Sequence, residues 1–178
     1  VITCLTVGTA AAADAPLCPP SAVRSSLAPQ LAAAPGKWQG IAHAANVSDA
    51  AALSALPEQQ AVGIPGTAFR EIWDSLRAWP DAVTVIMKSD QVFEVHGKVP
   101  AGEPSKVSRY FNLDPKSEGV TGHLRPDLYA AIYATSLPGR DRTQHGILFF
   151  DQAGALIFGV YVPNEHAAED SRVMEAFR

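Results

Sequence analysis

The residues of this 178-residue chain best suited to chemistry are its five histidines, at positions 43, 96, 123, 145 and 166. A neutral imidazole can bind a metal through one ring nitrogen while an acceptor holds the other. His123 sits in the tripeptide Gly122-His123-Leu124, and the missing side chain at Gly122 leaves room for a flat ligand to reach the backbone. His96 closes the run FEVH and shares a strand face with Val92 and Glu94. It either lines a cleft or is an exposed strand end. His43 and His166 fall in helical pieces and read as surface residues. His145 opens a strand after a charged turn and is a poor candidate. The residues alone leave His123 open between a ligand and a structural histidine.

Other chemistries find little support. The chain has no GxSxG elbow, phosphate-binding glycine loop, GxGxxG fingerprint or HExxH pair, and its carboxylates are scattered. A formal net charge of −4 argues against a broad nucleic-acid or acidic-membrane surface. The longest apolar run, Val1 to Ala13, is too short to span a bilayer. It has a signal-like small-residue context but no basic leader, and reads as a disordered tail. Cys4 and Cys18 both lie in that tail. A disulfide framework or a zinc site would need partners in the core, and a cysteine-free core fits a reducing cytoplasm.

The elements that must position these residues centre on Thr84 to Leu124. Val83, Val85 and Met87 alternate with Thr84, Ile86 and Lys88, which predicts a strand. After Ser89-Asp90, Phe93 and Val95 share one face of a second strand, with Val92, Glu94 and His96 on the other. Residues 97–104 hold two prolines and two glycines, which is turn chemistry. A third strand is expected over Val107 to Leu113, carrying Arg109, Tyr110 and Phe111. Short turns would join the three into an antiparallel meander with one face free for a ligand.

Upstream, Ser21 is expected to cap a helix reaching about Ala34, followed by a short helix over Lys37 to Ala45 and a third capped by Ser48, with Leu53 and Leu56 inward. This arrangement resembles a helix-turn-helix. Yet Arg24 and Lys37 are balanced by Asp49 and Glu58 between residues 21 and 60, so residues 37–56 read as a packing cap rather than a DNA reader. Val62 to Gly66 reads as a connection, and Thr67 as the cap of the strongest helix, with Phe69, Ile72, Trp73 and Leu76 at helical spacing. Downstream, Leu128 to Thr135 alternates with Tyr129, Ala131 and Tyr133 on one face. Gly146 to Phe150 and Ala155 to Val162 form a hairpin that is apolar on both faces, and a helix bearing Val173, Met174 and Phe177 follows Pro163. Helices, then strands, then a helix predict an α+β protein: an N-terminal helical cap and a long helix on an antiparallel sheet. Residues 1–20 form the tail, 21–178 a single domain, with the cap at 21–60 and the sheet core at 66–178.

The runs FEVHGKVPAGEP, RYFNL at 109–113 and GHL at 122–124, in that order, resemble the ChuX/HutX family of intracellular haem-utilisation proteins, related to ChuS/HemS. The likeness extends through FREIWDSLRAW before them and AAIYATS and GILFFDQAGALIFGVYV after them, about residues 25–177. It implies a cytoplasmic protein that binds haem (heme b) for iron acquisition. It implies no catalytic residue and His123 as a candidate axial ligand of haem iron. Many relatives carry a further histidine where this chain has Lys88, which is better suited to a haem propionate. Tyr110, His96 or water then remain for the second axial position, and Arg109, where the family often has glycine, could pair a propionate. VPNEHAAEDS also departs from the glycine-arginine-aspartate usual there. ChuS/HemS relatives hold the unit twice, so the single copy implies a homodimer, with the apolar 146–162 hairpin as its expected edge. Partners would be a haem importer or a haem-degrading enzyme, with no nucleic acid and no membrane. The alternative functions are haem degradation of the ChuS/HemS type and a helix-turn-helix regulator.

Overall fold

The computed structural model describes residues 17–88 and 91–163. Helix α1 (Ser21–Ala33), α2 (Trp38–Ala44) and α3 (Asp49–Leu53) precede strand β1 (Ala61–Pro65) and helix α4 (Phe69–Leu76). Then come β2 (Ala82–Lys88), β3 (Gln91–Gly97), β4 (Gly102–Pro104), β5 (Phe111–Leu113), β6 (His123–Leu124), β7 (Tyr129–Pro138), β8 (Thr143–Asp151) and β9 (Leu156–Tyr161). Six strands form one antiparallel sheet in the order β1-β7-β8-β9-β2-β3, and β4-β5-β6 form a second. The fold class is α+β, as the sequence predicts.

The large sheet is covered on both faces. On one side, α1 to α3 bury Leu27, Leu31, Trp38 and Leu53 against Ala131, Tyr133, Leu148 and Phe150. On the other, α4 and the small sheet bury Phe69, Trp73, Phe111 and Leu113 against Ile132, Phe149, Phe158 and Val160. This explains the hairpin of Gly146 to Val162. Its strands are apolar on both faces because they lie inside the sheet between two covering layers, so it is no exposed edge. The exposed edge is β3, where Val92 and Phe93 are each 56% accessible.

Several local expectations shift. Ser48 does cap α3, accepting from the Ala51 N–H at 3.2 Å, and Leu53 and Leu56 are buried. Ser21 is the first helical residue rather than a cap, and a 3-10 turn, Gly66–Ala68, leads into α4 in place of a Thr67 cap. Helix α4, at eight residues, is short for the long helix expected. Most of the expected connection Val62 to Gly66 is strand β1, which pairs with β7 from Ala61↔Thr135 to Pro65↔Ala131. A proline that cannot donate is tolerated there because β1 is an edge. A register shift between Tyr129 and Ala131 turns Tyr129 to the side of Ile132, away from Ala131 and Tyr133. Leu17 packs on the cap cluster and Pro19 is buried, so residues 17–20 belong to the fold rather than to a tail. Cys18 is disulfide-bonded, although the sequence shows no disulfide framework in the core. The helix expected after Pro163 and the segment before Leu17 lie outside the described residues. In α3, Ala50 to Leu53 are all buried, so this helix presents no groove-reading face.

The expected three-stranded meander is divided between two sheets. β2 and β3 pair as expected, in the register Val83↔His96 and Ile86↔Phe93, but β5 leaves them for β4 and β6. The crossover passes Val99, which is buried, and Pro100, whose carbonyl accepts from the Trp73 indole N–H at 3.0 Å. Phe111 on β5 meets Phe69 edge-on at 5.2 Å. The aromatic stripe of α4 thus seats the small sheet, leaving that sheet's other face to solvent.

Candidate functional site

Within β5 the alternation is strict: Phe111 and Leu113 are buried, so Asn112 between them points outward. Asn112 pairs across the ladder with His123 on β6 and Glu103 on β4. The His123 Nδ1 and Asn112 Oδ1 lie 2.8 Å apart. With the amide oxygen facing it, Nδ1 donates and Nε2 carries the lone pair, the tautomer a metal-binding imidazole needs. Gly122 has φ +136°, a backbone conformation that favours glycine, and a Cβ placed there would meet open space. The approach beside His123 is therefore unobstructed.

Tyr110 joins this outward face. Its ring meets His123 at 5.8 Å between centroids, inclined at 61°. Arg125 lies over the tyrosine ring, its Cζ 5.5 Å from the ring centroid. Asp127 holds that guanidinium through two bonds of 2.7 Å. The arginine keeps the Asp127 carboxyl below the usual carboxylate range, and the carboxylate raises Arg125 in turn. Arg109 Nη1 stands 3.8 Å from the same Asp127, with its side chain 82% exposed. Two cations therefore share one anion beside His123, and Glu103 lies on the other side of Asn112. Val107, at 95% exposure, and Leu128, at 47%, add apolar surface on the flanking segments.

The structure brings together three of the five predicted residues, His123, Tyr110 and Arg109. Lys88 is exposed at the end of β2, opposite Gln91. His96 pairs with Val83, and Val83 with Tyr161, which packs with the helical-cap cluster. His96 is therefore on the opposite face of the large sheet from the layer that carries His123. There it lines a separate cleft of about 280 Å³ with Val85, Glu94 and Gln144, and its Nε2 is 3.9 Å from Glu94. A cleft of about 350 Å³ adjoins Asn112, lined by Gly102, Glu103, Asp114 and Pro115, to one side of His123 rather than over it. His43 is exposed, as expected. His145 is buried, and burial depresses its pKa below the ordinary value.

Compared with known proteins, residues 62–178 match the sequence profile of the family described as haem utilisation ChuX/HutX. The chain belongs to that family. It is 29% identical over 125 residues to the intracellular heme transport protein HutX of Vibrio cholerae, covering 70% of this chain and 63% of the relative. The aligned region thus spans somewhat under two thirds of that relative's length. The fold superposes on the heme binding protein ChuX with a TM-score of 0.74 at 24% identity, covering 85% of this chain and 94% of that one. On holo-PhuS, a heme-binding protein from Pseudomonas aeruginosa, the TM-score is 0.71 at 18% identity, covering 89% of this chain but 44% of that chain.

For this ChuX/HutX chain, sequence reasoning missed Asn112, Arg125 and Asp127. Asn112 was visible in RYFNL two residues after Tyr110, on the same strand face, but its pairing with His123 depends on the β5–β6 register. Among the described residues, no group of three or more histidine, cysteine or acidic side chains could hold a free metal ion, and no helix is long and apolar enough to cross a membrane.

Proposed function

We propose that the protein is an intracellular, cytoplasmic haem-binding protein that carries or buffers imported haem for iron utilisation. The observation that carries this reading is the Asn112–His123 pair, with Nδ1 held at 2.8 Å on an open sheet face. Haem iron takes an imidazole nitrogen whose partner nitrogen is fixed by an acceptor. The surroundings fit the rest of the molecule. Exposed Tyr110, Val107 and Leu128 offer apolar contact, and Arg109 supplies a mobile guanidinium for a propionate. Lys88, exposed at the end of β2, is a further cation of the large sheet open to a propionate. Family membership supports the same ligand, as does the likeness to an intracellular heme transport protein.

The reading extends to a homodimer. The β3 edge, with Val92 and Phe93 exposed on its two faces, is the apolar strand edge a second copy would cover. Light scattering at micromolar concentration should give twice the chain mass; a value near 18.8 kDa refutes the dimer.

Haem titration followed at the Soret band tests the function. The unmodified protein should saturate at one haem per chain, and His123→Ala should weaken binding and shift the band. A protein that produces no Soret change fails the reading outright.

A further inference from the structure

The helical cap does not reach across the whole of the large sheet. The cluster it buries draws on β1, β7, β8 and β9, and among the described residues takes none from β2 or β3. At the margin of the cap, the Gln39 amide of α2 donates to Met87 Sδ at 3.5 Å. Beyond it Val83 and Val85 on β2 are half-buried, and Val92, Glu94 and His96 on β3 are exposed. Pairing places Val83 between Tyr161 and His96, and Val85 between Gly159 and Glu94, all on the cap side. A Cβ at Gly146 or Gly159 would come within 2.6 Å of the Tyr161 ring, so that ring lies across both glycines and forms one shoulder of a trough. Val83 and Val85 are its floor, Glu94 and His96 its far rim, and its volume is about 280 Å³. An apolar floor rimmed by polar groups is the mark of an interaction surface.

The chain itself brings an occupant to this surface. Pro163 lines the trough and is buried, and Val162 before it donates its N–H to the His145 carbonyl at 3.0 Å. The backbone is thus held at the wall of the trough where residues 164–178 begin. Those residues carry Val173, Met174 and Phe177 at helical spacing. A helix of about twelve residues is about 18 Å long, and the outer two of three neighbouring strands lie roughly 10 Å apart. The segment is therefore long enough to cross β9, β2 and β3. A short tether holds its ends at an effective concentration in the millimolar range, which a second copy in dilute solution does not match.

We infer that residues 164–178 fold back over the trough and seat Val173, Met174 and Phe177 on Val83, Val85 and Tyr161. The inference rests on the fold alone and stands whether or not the chain binds haem. The cap face of the large sheet is then closed by two pieces, the N-terminal helices over β7 and β8 and the C-terminal segment over β2 and β3. The β3 edge and the opposite face of β3, with Phe93, stay open to a second copy.

The test is nuclear magnetic resonance on the full-length, methyl-labelled protein. Nuclear Overhauser contacts should join the Val83 and Val85 methyls to Met174 and Phe177, and should persist on dilution. Phe177→Ser, and Val85→Lys at the floor, should each abolish these contacts and speed amide exchange across 164–178 by about tenfold or more. The contact between Phe149 and Phe158 on the opposite face, stacked at 4.5 Å, should survive in both variants and report an intact sheet. Contacts that vanish on dilution, or that arise between differently labelled chains in a mixed sample, make a second copy the occupant and overturn the inference. So does a full-length protein with no contact between 173–177 and the trough, or a Phe177→Ser variant whose 164–178 amides stay as protected as before.

Discussion

Asn112→Ala isolates the part of the site that the sequence did not disclose. The substitution removes the amide that holds His123 Nδ1 at 2.8 Å and leaves the imidazole in place. A neutral hydrogen bond of this kind is worth about 1 kcal/mol net, close to fivefold in an equilibrium constant. Loss of a partner behind a metal-bound histidine is known to cost 10- to 100-fold. Here His123 is exposed, so water can replace the amide in part, and the lower figure applies: haem affinity should fall about five- to tenfold. The fold should be untouched, because Asn112 points away from the core that its neighbours Phe111 and Leu113 enter. Asn112→Asp should retain or improve affinity, since a carboxylate is the stronger acceptor for Nδ1–H. The measurement is a Soret titration of each variant, with apoprotein thermal unfolding as the control for folding. Affinity unchanged within about twofold in Asn112→Ala, alongside a clear loss in His123→Ala, would refute the claim that Asn112 positions the imidazole.

Trp73→Ala should destabilise the protein by about 3–5 kcal/mol, because Trp73 is 1% exposed and its indole satisfies the Pro100 carbonyl; urea unfolding measures this, and a loss below about 1 kcal/mol would deny α4 its role in seating the small sheet. His145 is neutral by preference when folded, its pKa depressed by burial from 6.5. The stability this confers is present above that value and is lost as pH falls through it toward the lower folded pKa, so the midpoint of thermal unfolding should drop below about pH 6.5 more steeply than in His145→Gln. Deletion of residues 1–20 should lower the melting temperature, because Leu17 packs on the cap cluster and Pro19 is buried; a melting temperature equal to that of the full chain would overturn this. Incubation with haem, a reductant and catalase should return the haem intact, and bilin absorbance would move the protein to the degrading alternative.

Local pattern was sufficient wherever the deciding interaction lay between near neighbours in the chain. Period-two alternation assigned the faces of β2 and β3 correctly, because a strand's side-chain direction is a property of its own backbone. The cap on α3 was legible because Ser48 reaches an N–H three residues on. The ordered runs at 93–104, 109–113 and 122–124 carried the family and, with it, attention to His123.

What tertiary structure alone decided is everything that depends on partners distant in sequence. β1 was hidden because Gly63 and Pro65 are poor strand residues, and only the pairing with β7 about 70 positions away makes them one. The hairpin of β8 and β9 is apolar on both sides, which is equally the mark of an exposed sticky edge and of a central strand; the two layers that cover it settle the matter. His123 is the leading ligand on paper and His96 a lesser one, and the chain's passage from one sheet to the other at Val99-Pro100 separates them onto different layers. Asn112 becomes a partner of His123 only through a register set across the loop between β5 and β6. A sequence determines which way each side chain leaves its own strand, while the juxtaposition of two strands is fixed by packing of the whole, here by α4 against Phe111.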